Sequence, residues 1–408
     1  MITNKEIIET KRRIGEILLS FKIGYQDINA VAGPTVTLYE LTPNDGVRIS
    51  KIRNLKDEIA VGLHVQSVRI IAPMPNGTVG IEVPNIQRNT IPFSDMLMSN
   101  EYRETDMELP LCIGKRTDNS VFMADLATMP HLLVAGATGM GKSVGLNVII
   151  ASLINKKSPD ELKLVLIDPK QVELSVYERI AKPYIAKIDD GGESIITETN
   201  NAQRALDAVI DIMEKRYALL KEKNVRNLKE YNDSSNEKLP YYVVIIDEYG
   251  DLIMQTKGTA MENAICRIAQ KARAVGIHMI ISTQRPSTDI VTGRIKANFP
   301  TRIAFRTVTG TDSRVILDRI GAEKLTGKGD MLYFNGGDTT RAQCAYISTE
   351  EVIELCDEIA NEYEDCQQTV MQHHEEETIK QDSVGIHYAT DEDGRKCLKN
   401  ACGLTIYI

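Results

Sequence analysis

The sequence predicts an α/β fold built on a mostly parallel sheet and preceded by a small α+β unit. Three observations carry that prediction. A glycine-rich stretch, Leu132 to Ser143 (LLVAGATGMGKS), joins a short apolar run to an apolar helical one. Short runs rich in Val and Ile recur between helical stretches, the pattern of parallel strands whose crossover helices cover both faces of the sheet. Ahead of these, the chain mixes strand-like alternation with helix-period segments and shows no catalytic spacing.

In chain order, Thr10 to Leu19 has helical periodicity and Pro34 to Leu41 alternates as a strand. Ile52 to Leu63 returns to helix period through Leu55, Ile59, Ala60 and Leu63. Ser67–Ile71 and Thr78–Val83 read as two strands joined by the Pro- and Gly-containing turn 73–77. Residues 1–108 are therefore expected to form an α+β packing or assembly module. Residues 109–349 hold the parallel sheet, with strands at Leu132–Ala135, Leu162–Ile167, Tyr242–Ile246, His278–Ser282 and Arg302–Phe305. Helices are expected at Val144–Leu153, Asn201–Lys223 and Glu262–Ala274, and a polar surface loop at Asn224–Leu239. Residues 350–408 form the C-terminal part, and a helix beginning at Thr349 leads into it and turns Val352, Ile353, Leu355, Cys356 and Ile359 inward. Beyond Tyr363 an acidic tail of weak order is expected, to about Val384.

The glycine-rich stretch carries chemistry. Gly136 and Gly141 occupy the glycine positions of G-x-x-x-x-G-K-[ST], and Lys142 and Ser143 complete that P-loop motif. Glycines let successive backbone N–H groups curl around an anion. The cradle comprises Gly136, Ala137, Thr138, Gly139, Met140, Gly141, Lys142, Ser143 and Val144, with the positive end of the following helix behind it. Lys142 is expected to reach the β- and γ-phosphates and Ser143 to hold Mg²⁺. A bound nucleoside triphosphate follows.

Tyr241-Tyr-Val-Val-Ile-Ile-Asp247-Glu248 is an apolar strand ending in two acids. Such a strand delivers Asp247 to the Mg²⁺ shell and Glu248 to the water that attacks the γ-phosphate, as general base or polariser. Gln284 ends the next strand; it reads either as a sensor of the γ-phosphate or as part of a polar turn before Pro286. Asp168 reads either as a further polar contact or as a strand-end cap. Between Arg294 and Arg314 stand five basic residues and one acid, a strip suited to neutralising a phosphate backbone.

Composition bounds these readings. A chain of 408 residues with 42% apolar content builds a real core, and no run of 18 apolar residues suggests a membrane span. The N-terminus lacks the apolar core of a secretory signal, and seven scattered cysteines favour reduced thiols, so a cytoplasmic setting is expected. The net charge of −9 is uneven: Glu350 to Glu377 holds eleven Asp and Glu and no Lys or Arg, leaving the remainder slightly basic. His373, His374, Cys397 and Cys402 match no zinc framework.

Longer stretches resemble the FtsK/SpoIIIE family of DNA translocases: MPHLLVAGATGMGKSVGLN (Met129 to Asn147), LIDPKQVELSVYE (Leu166 to Glu178) and VVIIDEYGDLI (Val243 to Ile253). So do Ile268 to Phe305, Asp312 to Tyr333 and, in the N-terminal unit, Val47 to Leu63 and Thr78 to Asn85. The resemblance implies RecA-like motor subdomains in a homo-oligomeric, hexameric ring that uses ATP to pump double-stranded DNA through its pore, in chromosome segregation during cell division. It implies that Arg273 completes a neighbouring subunit's site, and that Arg285, Lys296 and Arg314 face the DNA. Gly310 stands where the family often has a lysine, with Arg306 as a compensating base. The family's membrane anchor and its DNA-reading winged helix have no obvious counterpart here, so tethering and sequence-directed movement are not carried over. The alternatives are a secretion or conjugation ATPase of the same superfamily, or a nucleotide-gated assembly protein.

Overall fold

Two sheets organise the chain, the first small and the second positioning the P-loop. The computed structural model describes residues 3–372, apart from 75, 190–192 and 256–258, and three strands further on. In the small sheet β1 (Tyr25–Ala32), β2 (Val36–Pro43), β3 (Arg69–Ile71) and β4 (Val79–Pro84) pair antiparallel in the order β1-β2-β4-β3. The helix Asn4–Ser20 begins with a capping box between Thr3 and Glu6 and packs Ile14 and Leu18 against Tyr39, Leu41 and Ile81. The helix expected over Ile52–Leu63 is two short ones, Ile49–Asn54 and Lys56–Gly62. They meet at Leu55, whose ψ of 14° breaks the run while Ile52, Ile59 and Ala60 stay buried. β1 was not legible: only Ile28 of its eight residues is fully buried, so it shows no apolar alternation.

The second sheet has nine strands: β5 (Pro110–Arg116), β6 (Val121–Asp125), β7 (His131–Ala135), β8 (Leu162–Ile167) and, after the separate β9 (Ala186–Ile188), β10 (Tyr241–Ile246), β11 (Ile277–Thr283), β12 (Thr301–Phe305), β13 (Asp330–Asn335) and β14 (Asp338–Cys344). Their order is β6-β5-β14-β13-β12-β7-β11-β10-β8. The five apolar runs form its parallel block, from β12 to β8, and the other strands extend it antiparallel. Both faces of the block are covered. Leu132, Val134, Val243 and Ile245 face the P-loop helix, Lys142–Lys156; Leu133, Val244 and Ile246 face the helices Thr199–Glu222 and Thr259–Lys271. Strands buried on both sides read as continuous Val/Ile runs.

A buried ionic joint links the two sheets. Arg341 on β14 donates to Glu82 on β4 at 2.7 Å and to both oxygens of Asp330 at 3.0 and 2.7 Å. Burial pulls the guanidinium's pKa down, but the two carboxylates outweigh it and hold Arg341 charged. The expected loop Asn224–Leu239 contains a short helix, Leu228–Ser234, capped by Asn227 and anchored by Leu228 and Tyr231. The expected weakly ordered stretch after Tyr363 contributes β15 (Thr369–Met371), parallel to β9. The rest of that expectation, and His373, His374, Cys397 and Cys402, lie outside the residues whose side chains are described. The strands His387–Thr390, Lys396–Lys399 and Thr405–Tyr407 form an antiparallel sheet of their own. Among the described residues no helix is long and apolar enough to cross a membrane.

Candidate functional site

β7 ends in the P-loop, and two of its glycines occupy backbone that side chains resist. Gly139 and Gly141 have φ of 73° and 116°. A Cβ on Gly141 would stand 2.7 Å from the backbone nitrogen of Gly329, so no larger residue fits there. The turn hands over directly to the helix Lys142–Lys156, whose first amides point back into the loop.

The expected charged residues converge here. Lys142 is only 3% exposed; its Nζ donates to Asp247 Oδ1 at 2.5 Å and to Ser282 Oγ at 3.0 Å, and Ser282 Oγ donates to the same Asp247 oxygen at 2.6 Å. β11 lies beside β7 and β10 beside β11, so Asp247 meets Lys142 directly and Glu248 is linked to the P-loop through Gln284. Asp247 Oδ2 is buried and has no hydrogen-bond partner among the described residues. A buried carboxylate oxygen left unpaired is costly unless a cation or water satisfies it. Ser143 Oγ donates to Glu173 Oε1, so three oxygen donors suited to Mg²⁺ (Ser143, Glu173 and Asp247) stand around the P-loop lysine.

Glu248 is held tightly. Its φ of 53° is unusual for a residue with a side chain, and its carboxylate accepts from Thr283 Oγ1 at 2.9 Å, from the Gln284 amide at 3.1 Å and from Lys170 Nζ at 3.3 Å. Burial lowers the Lys170 pKa, but Glu248 and Asp251 more than offset it, so this lysine is charged and its pKa lies above the ordinary value. Gln284 joins the acid to the P-loop, because its side-chain oxygen accepts from Thr138 Oγ1 at 2.7 Å while its backbone binds Glu248. One residue thus connects the phosphate cradle to Glu248.

Asp168 takes the capping alternative. Its carboxylate accepts four backbone N–H bonds, from Lys170, Gln171, Val172 and Leu174, each at 3.0 or 3.1 Å. It thereby shapes the loop that presents Lys170 to Glu248 and Glu173 to Ser143. Neither Lys170 nor Glu173 is marked by the sequence around it. A lysine and a glutamate in an aperiodic loop show a partner only once the fold brings one.

The remaining expected residues lie elsewhere. Arg273 is exposed at the amino end of β11, the opposite end of that strand from Gln284, so it does not meet its own chain's Lys142. Arg285 and Arg314 are exposed, whereas Lys296 is paired with Asp318 at 2.7 Å. The basic strip is shorter than expected. Arg302 is buried, donating to three backbone carbonyls and to Asp318, so it serves the fold rather than a surface.

A cavity of about 780 Å³ adjoins the P-loop, lined by Ala137–Gly139 and Gly141–Val144, and also by Glu173, Gln284, Lys328, Gly329, Tyr346, Ile86 and Arg88–Ile91. Its volume suits a nucleotide-sized ligand.

Comparison with known proteins matches two family models: the FtsK/SpoIIIE family over residues 93–288 and the FtsK alpha domain over residues 1–85. The DNA translocase FtsK of Haemophilus influenzae is 42% identical over 387 residues, spanning 88% of this chain and 72% of that protein. That of Chlorobaculum tepidum is 45% identical over 355 residues, 85% of this chain but 44% of the relative. Among solved structures, the monomer form of the pCW3 conjugation coupling protein TcpA superposes with a TM-score of 0.61 at 24% identity, covering 86% of this chain and 99% of TcpA. ATPases 2 and 3 of EssC from Geobacillus thermodenitrificans reach 0.59 at 16% identity, covering 80% and 62%. These structural likenesses speak to a shared P-loop ATPase fold.

Proposed function

The chain belongs to the FtsK/SpoIIIE family, and from that premise we propose that it is an ATP-driven motor that moves along double-stranded DNA. The observation that carries the reading is the linked set Lys142–Asp247–Ser282 and Glu248–Gln284–Thr138, which ties a phosphate cradle to a held carboxylate. In this reading the amides of Gly136 to Val144 and the Lys142 ammonium bind the triphosphate. Ser143 and Asp247, with Glu173 bonded to Ser143, would hold a Mg²⁺ ion, which when bound would supply charge neutralisation to the phosphate oxygens. Glu248 orients and deprotonates the attacking water, and Gln284 relays the state of the cradle.

Arg273, exposed at the far end of β11, completes the site of the next protomer in a hexameric ring. Arg285 and Arg314 contact the DNA backbone in the pore, and Lys296 joins them by leaving Asp318. The work served is chromosome segregation at cell division.

Phosphate release measured with and without long duplex DNA tests the proposal. Hydrolysis is expected to rise with DNA and that stimulation to fall as salt increases, because phosphate contacts release counterions. Glu248→Gln is expected to lower turnover by about 10²–10⁴-fold while nucleotide still binds. Turnover indifferent to DNA in every oligomeric state would overturn the translocase; normal turnover in Glu248→Gln would remove that residue from its role.

A further inference from the structure

The cavity beside the P-loop has a second wall. β10 and β11 flank β7 on one side and supply Asp247, Glu248 and Gln284; β12, β13 and β14 lie on the other. Leading into β13 is a tight turn, Gly327-Lys328-Gly329, in which all three residues have positive φ, at 79°, 51° and 88°. Glycine adopts that region freely, but a lysine there is strained and persists only when its surroundings hold it.

The surroundings do hold it. The Gly329 amide donates to the Met140 carbonyl of the P-loop at 3.0 Å, and the Cys344 amide donates to the Gly329 carbonyl at 2.8 Å. Gln343 Nε2 donates to the Lys328 carbonyl at 2.9 Å. Next to the turn, Asp330 accepts from the Thr326 amide and hydroxyl and from Arg341. The backbone of Lys328 is thus built into the flank of the P-loop, while its side chain is exposed and lines the cavity. Arg88, the other cation of this wall, already donates to the Thr326 carbonyl at 3.0 Å. Lys328 forms no ion pair with a carboxylate among the described residues.

A cation carried on a rigid turn, in the wall of a cavity that the P-loop also lines, is chemistry for an anion. We infer that Lys328 is a second cationic contact for the phosphate chain, an inference that rests on the nucleotide reading of this cavity. It approaches from the β13–β14 side, whereas Glu248 and Gln284 approach from the β10–β11 side. Lys328 therefore grips the part of the chain that di- and triphosphates share, not the terminal phosphoryl group, and it holds product as well as substrate.

The test is fluorescence anisotropy on the full chain with a fluorescent ADP analogue and its triphosphate counterpart. Failure of the unaltered protein to bind either probe would overturn the nucleotide reading, and this inference with it. Given binding, Lys328→Ala is expected to weaken both probes about tenfold, the scale of one charge-assisted hydrogen bond. Lys328→Gly, which adopts the turn without strain, is expected to lose as much, and Lys328→Arg to retain most of the affinity. The deficit is expected to shrink at high salt. Unchanged affinity in both the Ala and Gly variants would overturn the role of Lys328 and leave the nucleotide site standing. A loss confined to the triphosphate would overturn its place on the shared part of the chain.

Discussion

His131 on β7 and His278 on β11 are buried on adjacent strands, and the Nε2 of each lacks a hydrogen-bond partner among the described residues. Burial, reinforced by the neighbouring ring, depresses the pKa of His131 to about 3; burial, with a contribution from Arg273 and Arg216, depresses that of His278 to about 4. Both are neutral in the folded protein, whereas in the unfolded chain each titrates near 6.5. Above that value neither state is protonated and the pair is neutral toward stability. Below it the unfolded chain binds protons that the fold refuses, so stability falls with pH until about 4 for His278 and about 3 for His131. By pH 5 the cost is about 2 kcal/mol per histidine. Urea midpoints at pH 7 and pH 5 check this, and a variant with both histidines changed to Asn is expected to lose less stability over that interval. Legibility at this scale followed chemistry that stays within a short stretch. Lys142, Ser143, Asp247 and Glu248 were readable because glycine spacing and a strand end announce them. Lys170 and Glu173 were not, because each acquires its meaning from a partner on another element, Glu248 for one and Ser143 for the other.

Among the elements, the loop after β8 depends on a single carboxylate. Asp168→Ala would orphan four backbone N–H groups and release both Lys170 and Glu173. The expected loss is about 3 kcal/mol, read from the urea midpoint, with hydrolysis reduced beyond what lost stability explains because Glu248 loses its lysine. Asp168→Asn is expected to recover little, since one oxygen becomes a donor facing donors. The parallel strands were legible because burial on both faces forces long Val/Ile runs. β13 and β14 were not: Asp330 and Arg341 sit inward on them as a buried ion pair, so DMLYFN and DTTRAQC carry the charge of a surface segment. The helix Leu228–Ser234 escaped notice for the opposite reason, because two inward residues are too few to set a period.

At the scale of the whole molecule, the joint between the two sheets was invisible in the sequence. Glu82 and Arg341 are 259 positions apart, and nothing local to either marks it as buried. The proposed ring would extend the same principle beyond one chain: Arg273 and Gln284 stand at opposite ends of β11, so in that ring the arginine would act on a neighbour's site. In a heterologous, head-to-tail ring every seam pairs the P-loop of one protomer with the Arg273 of the next. Lys142→Ala and Arg273→Ala are then each expected to abolish DNA-stimulated hydrolysis alone, the second by about 10³-fold or more. Mixed before assembly, the two variants form some seams that join an intact P-loop from the Arg273→Ala chain to an intact arginine from the Lys142→Ala chain. Random equimolar mixing restores about a quarter of the seams, and phosphate release is expected to recover toward that fraction. If Arg273 acted within its own chain, no mixture would contain a complete site and activity would stay at the level of the separate variants. Recovery also requires that the chains share a ring, so it disappears on dilution below the assembly concentration, whereas a monomeric ATPase would show no such dependence.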